Sequence, residues 1–130
     1  MSIKVYTDGG CKPNPGKGGW AFIILMEDKI CYKKSGGDSK TTNNIMELTA
    51  VYKALKKLPE ITKLSIYCDS QYVTDCATGK KKTHKNLELW EKYDKYSADK
   101  DITWIKVKSH SGDEYNDMVD KMASKEIEKL

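Results

Sequence analysis

Four carboxylates spread along the chain, Asp8, Glu47, Asp69 and Asp120, stand where a fold would aim an acid rather than leave it in solvent. Asp8 ends the strand-like run Ile3-Lys4-Val5-Tyr6-Thr7-Asp8, just before Gly9-Gly10, and Asp69 ends a second, Leu64-Ser65-Ile66-Tyr67-Cys68-Asp69. Glu47 lies on the apolar face of a helical segment. Asp120 lies on the last helical segment, ten residues after His110. One acid at a strand end is ordinary; four that converge make a site for divalent cations. Mg²⁺ takes hard oxygen donors of this kind and keeps some of its waters. The four cysteines (Cys11, Cys31, Cys68, Cys76) form no CxxC pair and there are only two histidines, which argues against zinc.

Each acid also has an ordinary explanation. Asn44-Ile45-Met46-Glu47 reads as a capping box, with Asn44 as N-cap and Glu47 reaching back to it. On a helical wheel, however, Glu47 is flanked by Val51, Ala54, Leu55 and Leu58, while Lys53 and Lys56 point elsewhere. An acid inside an apolar stripe needs a partner. No cation is evident in sequence, so a metal ion is the better candidate. Asp120 shares a helix side with Asn116, Ala123 and Ile127; Asp113 and Asp117 lie nearer the helix start, where they ease its dipole. Asp8 or Asp69 alone could be a turn former, but that explanation fits four together poorly.

The elements that must position these acids follow from periodicity. Strands are expected over 3–8, 20–26, 29–35, 63–68 and 102–107. The second and third pair as a hairpin across Glu27-Asp28, and Gly36-Gly37 closes that unit. Residues 10–19, rich in Gly and Pro, read as a turn-rich loop. Helices are expected over 44–57, 70–77 with Ser70 as N-cap, 86–96 and 114–129. This order is that of an α/β fold with a five-stranded mixed sheet. A right-handed crossover would set the strands ending at Asp8 and Asp69 side by side and parallel, with both acids at the carboxyl edge where open sheets bind ligands.

The 130 residues suit a single domain spanning 1–130, large enough to bury roughly two thirds of its unfolded surface. No apolar run approaches the ~18 residues of a membrane span and no segment reads as a signal peptide. The expected setting is cytoplasmic, with no membrane partner and reduced thiols. Net charge is +4, and all 23 basic residues are lysine. Bidentate guanidinium contacts are therefore unavailable, and anions must be met by ammonium, backbone N–H, amides and hydroxyls. The densest run, Lys80-Lys81-Lys82-Thr83-His84-Lys85, is either a solvated loop or, beside a phosphate site, a steering surface for nucleic acid.

Four segments together resemble the type 1 ribonuclease H family. The run from Tyr6-Thr7-Asp8-Gly9-Gly10-Cys11 through Lys12-Pro13-Asn14-Pro15-Gly16 to Gly19 is similar to that family's opening motif. Thr41-Thr42-Asn43-Asn44-Ile45-Met46-Glu47-Leu48 is similar to the second and Asp69-Ser70-Gln71-Tyr72-Val73 to the third. Lys108-Ser109-His110-Ser111-Gly112, followed by Asn116 through Asp120-Lys121-Met122-Ala123, is similar to the fourth. The match covers nearly the whole chain in the family's order. The combination is highly specific, whereas any one motif would not be.

The resemblance implies a ribonuclease H-like fold, a five-stranded mixed β-sheet with α-helices on both faces. It implies an endonuclease that hydrolyses the RNA strand of an RNA/DNA hybrid, leaving 5′-phosphate and 3′-hydroxyl ends. The family's catalytic, metal-holding acids map onto Asp8, Glu47, Asp69 and Asp120. Asp120 rather than Asp117 matches, because only it fits the spacing Asn-x-x-x-Asp-x-Met/Leu-Ala. His110 maps onto the family's loop histidine, which serves proton transfer or product departure. Two Mg²⁺ ions are implied, with Mn²⁺ able to substitute, and Asp8 as their bridge. The positions that read the RNA 2′-hydroxyl map onto the backbone near Cys11, the amides of Asn14, Asn43 and Asn44, and Gln71; Gly10, Thr42 and Asn116 complete the substrate-binding set. The DNA strand would lie towards Thr42, Asn44, Trp90 and the lysine run, although Trp90 is equally readable as core. Some relatives carry a longer basic, tryptophan-rich protrusion after the third motif and a separate hybrid-binding domain. Here only residues 79–85 fill that stretch, which implies weaker, strongly salt-sensitive binding by a monomer. The competing readings are a binding module without catalysis, the excised terminal domain of a reverse transcriptase, and another nuclease or integrase-like member of the fold.

Overall fold

The computed structural model describes residues 2–83, 85–107 and 113–130. Its elements are β1 (Ile3–Lys12), β2 (Gly16–Met26), β3 (Lys29–Thr41), α1 (Asn43–Lys56), β4 (Lys63–Cys68), α2 (Gln71–Ala77), α3 (Leu87–Ser97), β5 (Asp101–Lys106) and α4 (Glu114–Glu128). The strands form one sheet in the order β3-β2-β1-β4-β5. The β1–β2 and β2–β3 pairs are antiparallel, and β1–β4 and β4–β5 are parallel. This is the expected mixed α/β sheet, with β1 and β4 adjacent and parallel.

Side chains alternate along β2 with the period of a strand and serve two cores. Trp20, Phe22 and Ile24 join Leu48, Val51, Leu55, Ile66, Val73, Trp90 and Tyr93 on the face covered by α1, with α2 and α3 beside it. Ala21, Ile23 and Leu25 join Tyr6, Val119 and Ala123 under α4. Because β2 is buried on both faces, it reads as the continuous apolar run Trp20 to Met26.

Three expectations are corrected. Residues 10–19 are mostly strand: Gly10 pairs with Gly19, Cys11 with Gly18 and Lys12 with Lys17, leaving only 13–15 to turn. Asp8 is therefore internal to β1, opposite Ala21. Gly36 and Gly37 do not close the β-unit; they lie within β3, paired with Trp20 and Gly19, and the strand runs on to Thr41. Finally, the N-cap of α1 is Thr42, not Asn44: Thr42 Oγ1 accepts from Ile45 N at 3.2 Å. The hairpin at Glu27-Asp28 forms as expected, both residues having positive φ (51° and 65°), as a tight turn between twisted strands requires.

Candidate active site

The β1–β4 register pairs Lys4 with Ser65 and Tyr6 with Tyr67. Continuing it by two residues sets Asp8 level with Asp69, just past the end of β4. Helix α1 then delivers Glu47. A Cβ on Gly9 would lie 2.4 Å from Glu47 N and from Met46 C, so only a residue without a side chain lets α1 settle against β1 at this point. Helix α4 delivers Asp120 by the same device from the other face, since a Cβ on Gly19 would lie 2.2 Å from Ala123 O.

The result is a tight group. Carboxylate oxygens of Asp8, Glu47 and Asp69 all lie within 4.8 Å of one another. Asp120 lines the same cleft of about 460 Å³. Asp8 and Glu47 are 7% and 8% exposed. Burial above all, then the Asp69 charge and the Asp120 carboxyl, pushes Asp8 up to about 8, against the opposing pull of the Gly9 backbone. Burial, followed by the Asp8 and Asp69 charges, pushes Glu47 well above the usual carboxylate range. Glu47 Oε2 is buried and has no hydrogen-bond partner among the described residues. A buried carboxylate oxygen left unpaired is costly, and crowding three more acids around it adds repulsion. Protons or a divalent cation relieve that repulsion, and the donors are hard oxygens as Mg²⁺ and Mn²⁺ prefer. Cys68 does not compete as a ligand, because burial pushes its thiol upward and keeps it protonated.

The capping-box explanation of Glu47 does not hold. With Thr42 as N-cap the third helical position is Ile45, so Glu47 is past the cap and directed at Asp8. Asp113 behaves as expected, its carboxylate accepting from Tyr115 N and Asn116 N at the start of α4.

Of the expected substrate-binding residues, Gly10, Asn43 and Asn44 line the cleft. Space over Gly10 is open, with nothing within 4 Å of where a Cβ would stand. Cys11, Asn14, Thr42, Gln71 and Asn116 do not line the cleft. Asn14 Oδ1 accepts from Asn43 N at 3.2 Å, tying the hairpin turn to the start of α1. The Cys11 thiol is buried and turned to the carbonyls of Pro13 and Thr41. Gln71 is exposed, donating to Asp75 Oδ1 at 2.6 Å and accepting from Lys106 Nζ. Asn116 is 4% exposed on α4. His110 lies outside the described residues. Trp90, 4% exposed with its indole N–H on Tyr72 Oη at 2.9 Å, belongs to the core. Lys12 and Ser124 line the cleft without having been singled out. Both were within reach of periodicity: Lys12 follows Asp8 by four on the same face of β1, and Ser124 follows Asp120 by one helical turn.

Comparison with known proteins agrees with this geometry. A sequence model of the family described as RNase H matches residues 1–128. The chain is 43% identical to a ribonuclease H of a Wolbachia sp. associated with Drosophila simulans, over 96% of this chain and 94% of that protein. It is 41% identical to a ribonuclease H of Acetivibrio thermocellus, over 98% and 95%. Among solved structures, LC11-RNase H1 in complex with an RNA/DNA hybrid superposes with a TM-score of 0.86 at 23% identity, covering 98% of each chain.

Proposed function

Because this chain belongs to the RNase H family, we propose that it hydrolyses the RNA strand of RNA/DNA hybrids, leaving 5′-phosphate and 3′-hydroxyl ends. The observation that carries the proposal is the cluster of Asp8, Glu47 and Asp69 oxygens within 4.8 Å of one another, beside a Glu47 oxygen that nothing in the described residues satisfies. Asp8, Glu47, Asp69 and Asp120 are the residues that would hold two Mg²⁺ ions, with Mn²⁺ able to substitute. When bound, such a pair supplies an activated water and neutralises charge on the leaving oxygen.

The chain's own residues account for the rest. Asp8 faces the other three acids, which suits it to bridging. Glu47 is fixed by the Gly9 contact and Asp120 by the Gly19 contact, so the donors are held before substrate arrives rather than gathered by it. His110 is assigned proton transfer or product departure on the family resemblance. Gly10, Asn43 and Asn44, at the wall of the cleft, are assigned to the RNA strand, with the Cys11 backbone, Asn14, Gln71, Thr42 and Asn116 as the surrounding contacts. Amide groups suit the 2′-hydroxyl, which both donates and accepts.

The same reading takes the protein to be a monomeric, cytoplasmic enzyme of one domain. No helix among the described residues is long and apolar enough to cross a membrane, and all four cysteines are free. The test is cleavage of an end-labelled RNA/DNA hybrid beside single-stranded RNA, duplex RNA and duplex DNA, with Mg²⁺ and with EDTA. Mg²⁺-dependent cutting of the hybrid alone is expected. A folded protein that cuts nothing in Mg²⁺ or Mn²⁺ would instead be a binding module.

A further inference from the structure

A second concentration of like charge lies away from the acid cleft, along the free edge of the sheet. Lys34, Lys53, Lys56 and Lys57 converge on a groove of about 190 Å³ with Phe22 at its base. Lys34 stands opposite Phe22, and Tyr32 opposite Ile24, in the β2–β3 register. Both therefore lie on the α1 side of the edge strand β3. Facing them, Lys53, Lys56 and Lys57 stand three and four residues apart at the end of α1.

Several of these ammonium groups lie over aromatic rings. Lys57 lies over Tyr32 at 4.9 Å and Lys53 over Trp20 at 5.2 Å. Lys92 of α3 joins Lys53 over Tyr52, at 5.4 and 5.6 Å. Tyr32 is 37% exposed. Among the described residues none of the groove lysines forms an ion pair. Cations at a helix C-terminus are favourable, which explains Lys56 and Lys57. It does not explain Lys34, brought in from a different element, and like charges three or four apart on a helix repel. Burial, then Lys34, Lys56 and Lys92, pushes Lys53 below its ordinary value, so the groove has a positive potential with no internal counter-charge.

We propose that this groove is a second nucleic-acid contact, holding the single-stranded flank of a substrate that continues beyond the hybrid. The inference rests on the hybrid-ribonuclease reading. Ammonium groups complement phosphates as point charges and read no base, so the contact is independent of sequence. Tyr32, 37% exposed, packs against Phe22 and carries the Lys57 ammonium over its ring; when Lys57 turns to a phosphate, that ring becomes a platform for an unpaired base. The groove is also close. From Glu47 to Lys56 is nine residues of helix, about 14 Å, a span that a few nucleotides leaving the cleft would cover.

The test compares a blunt hybrid with the same hybrid carrying about a dozen nucleotides of single-stranded DNA at either end, measured by fluorescence anisotropy in EDTA. In the wild-type protein the flank should tighten Kd about tenfold. In Lys34→Gln/Lys56→Gln most of that gain should vanish, and the slope of log Kd against log salt for the flanked substrate should become shallower by about 1.4, two single-strand phosphate contacts. In Lys63→Gln/Lys125→Gln, which removes the same charge elsewhere on the surface, the gain should remain. The proposal is overturned if the flank gives no gain, if the gain survives in Lys34→Gln/Lys56→Gln, if both double variants lose it equally, or if a duplex flank serves as well. Failure to cut the blunt hybrid in Mg²⁺ or Mn²⁺ would count against the underlying activity. A missing flank gain in a protein that does cut counts against the groove alone.

Discussion

The acid cleft and the lysine groove each crowd like charges, but they do so in different solvents. Asp8 and Glu47 are almost fully buried, and an oxygen of Glu47 has no partner among the described residues. The groove lysines remain in contact with water, where repulsion is screened within a Debye length of about 10 Å. The fold can satisfy a buried charge when that charge is structural. The side chain of Lys100 is 1% exposed, and its ammonium donates to the carbonyls of Leu58 and Ile61 at 2.7 and 2.6 Å beyond the end of α1. Glu47 is left with one oxygen that no group among the described residues meets. That oxygen is where a cation would complete the proposed site, whereas the lysines form a surface that tolerates being empty.

If the cleft is completed by metal, removing one of its donors should have the largest effect. Asp69→Asn should lower turnover at least ~10³-fold, about 4 kcal/mol of transition-state stabilisation, while circular dichroism and hybrid binding stay close to wild type. Near-normal cleavage by this variant would remove the four-acid site. The next largest effect separates two acids on one helix. Asp120→Ala should lose at least ~10²-fold in rate, because Asp120 lines the cleft. Asp117→Ala should lose little rate and about 0.5 kcal/mol of stability, because Asp117 sits in the first turn of α4 and serves its dipole. The opposite ranking would show that the wrong acid of α4 has been placed in the cleft.

How much of this was legible in sequence depended on what each residue type is for. Glu47 can be picked out because it breaks an apolar stripe, which is visible without a structure; Asp8 and Asp69 stand out as the ends of strand-like runs, and Asp120 is told from Asp117 by the spacing of the family resemblance. Residues 10–19 read as a loop in sequence because glycine there suggests turning. Gly9 and Gly19 are there for close approach, admitting α1 and α4, and the chain through them is extended. Nothing local distinguishes those two uses. The sequence points to Asn44, two residues past the true cap of α1, because Thr41, Thr42, Asn43 and Asn44 are all good cap formers. The choice among them is made by where α1 docks on β1, which is tertiary. The edge strand β3 extends past residue 35 because residues 36–41, Gly-Gly-Asp-Ser-Lys-Thr, pair with β2 while carrying none of the apolar alternation that marks a half-buried strand.

Burial also predicts how the metal-free protein responds to pH. Asp8 has an ordinary value near 3.8 and is pushed up to about 8 in the fold. Between those values the native state holds a proton that the unfolded chain has lost. Stability therefore falls as pH rises through that window, by an amount on the order of a few kcal/mol. Thermal or urea unfolding in EDTA should show a less stable wild type at pH 8 than at pH 5. Asp8→Asn should flatten this dependence and be the more stable protein at pH 8, even as it abolishes cleavage. Mg²⁺ at pH 8 should raise the wild-type melting temperature and raise that of Asp8→Asn less. A metal-free wild type more stable at pH 8 than at pH 5 would mean that the crowding is not borne by Asp8.

The groove should give the smallest effect, and its smallness is informative. Lys34→Gln removes one of four converging charges without removing a ring contact, since Lys34 lies over no aromatic face among those observed. Relief of repulsion should stabilise the protein by about 0.3 kcal/mol at low salt, and the gain should disappear near 1 M salt, where the Debye length is about 3 Å. The gain from Asp8→Asn in EDTA at pH 8 should persist at that salt, because ions do not screen a group that water barely reaches. A Lys34→Gln gain as large and as salt-resistant as that of Asp8→Asn would put the lysines under the same strain as the acids. The groove would then need a permanent counter-ion rather than a passing strand.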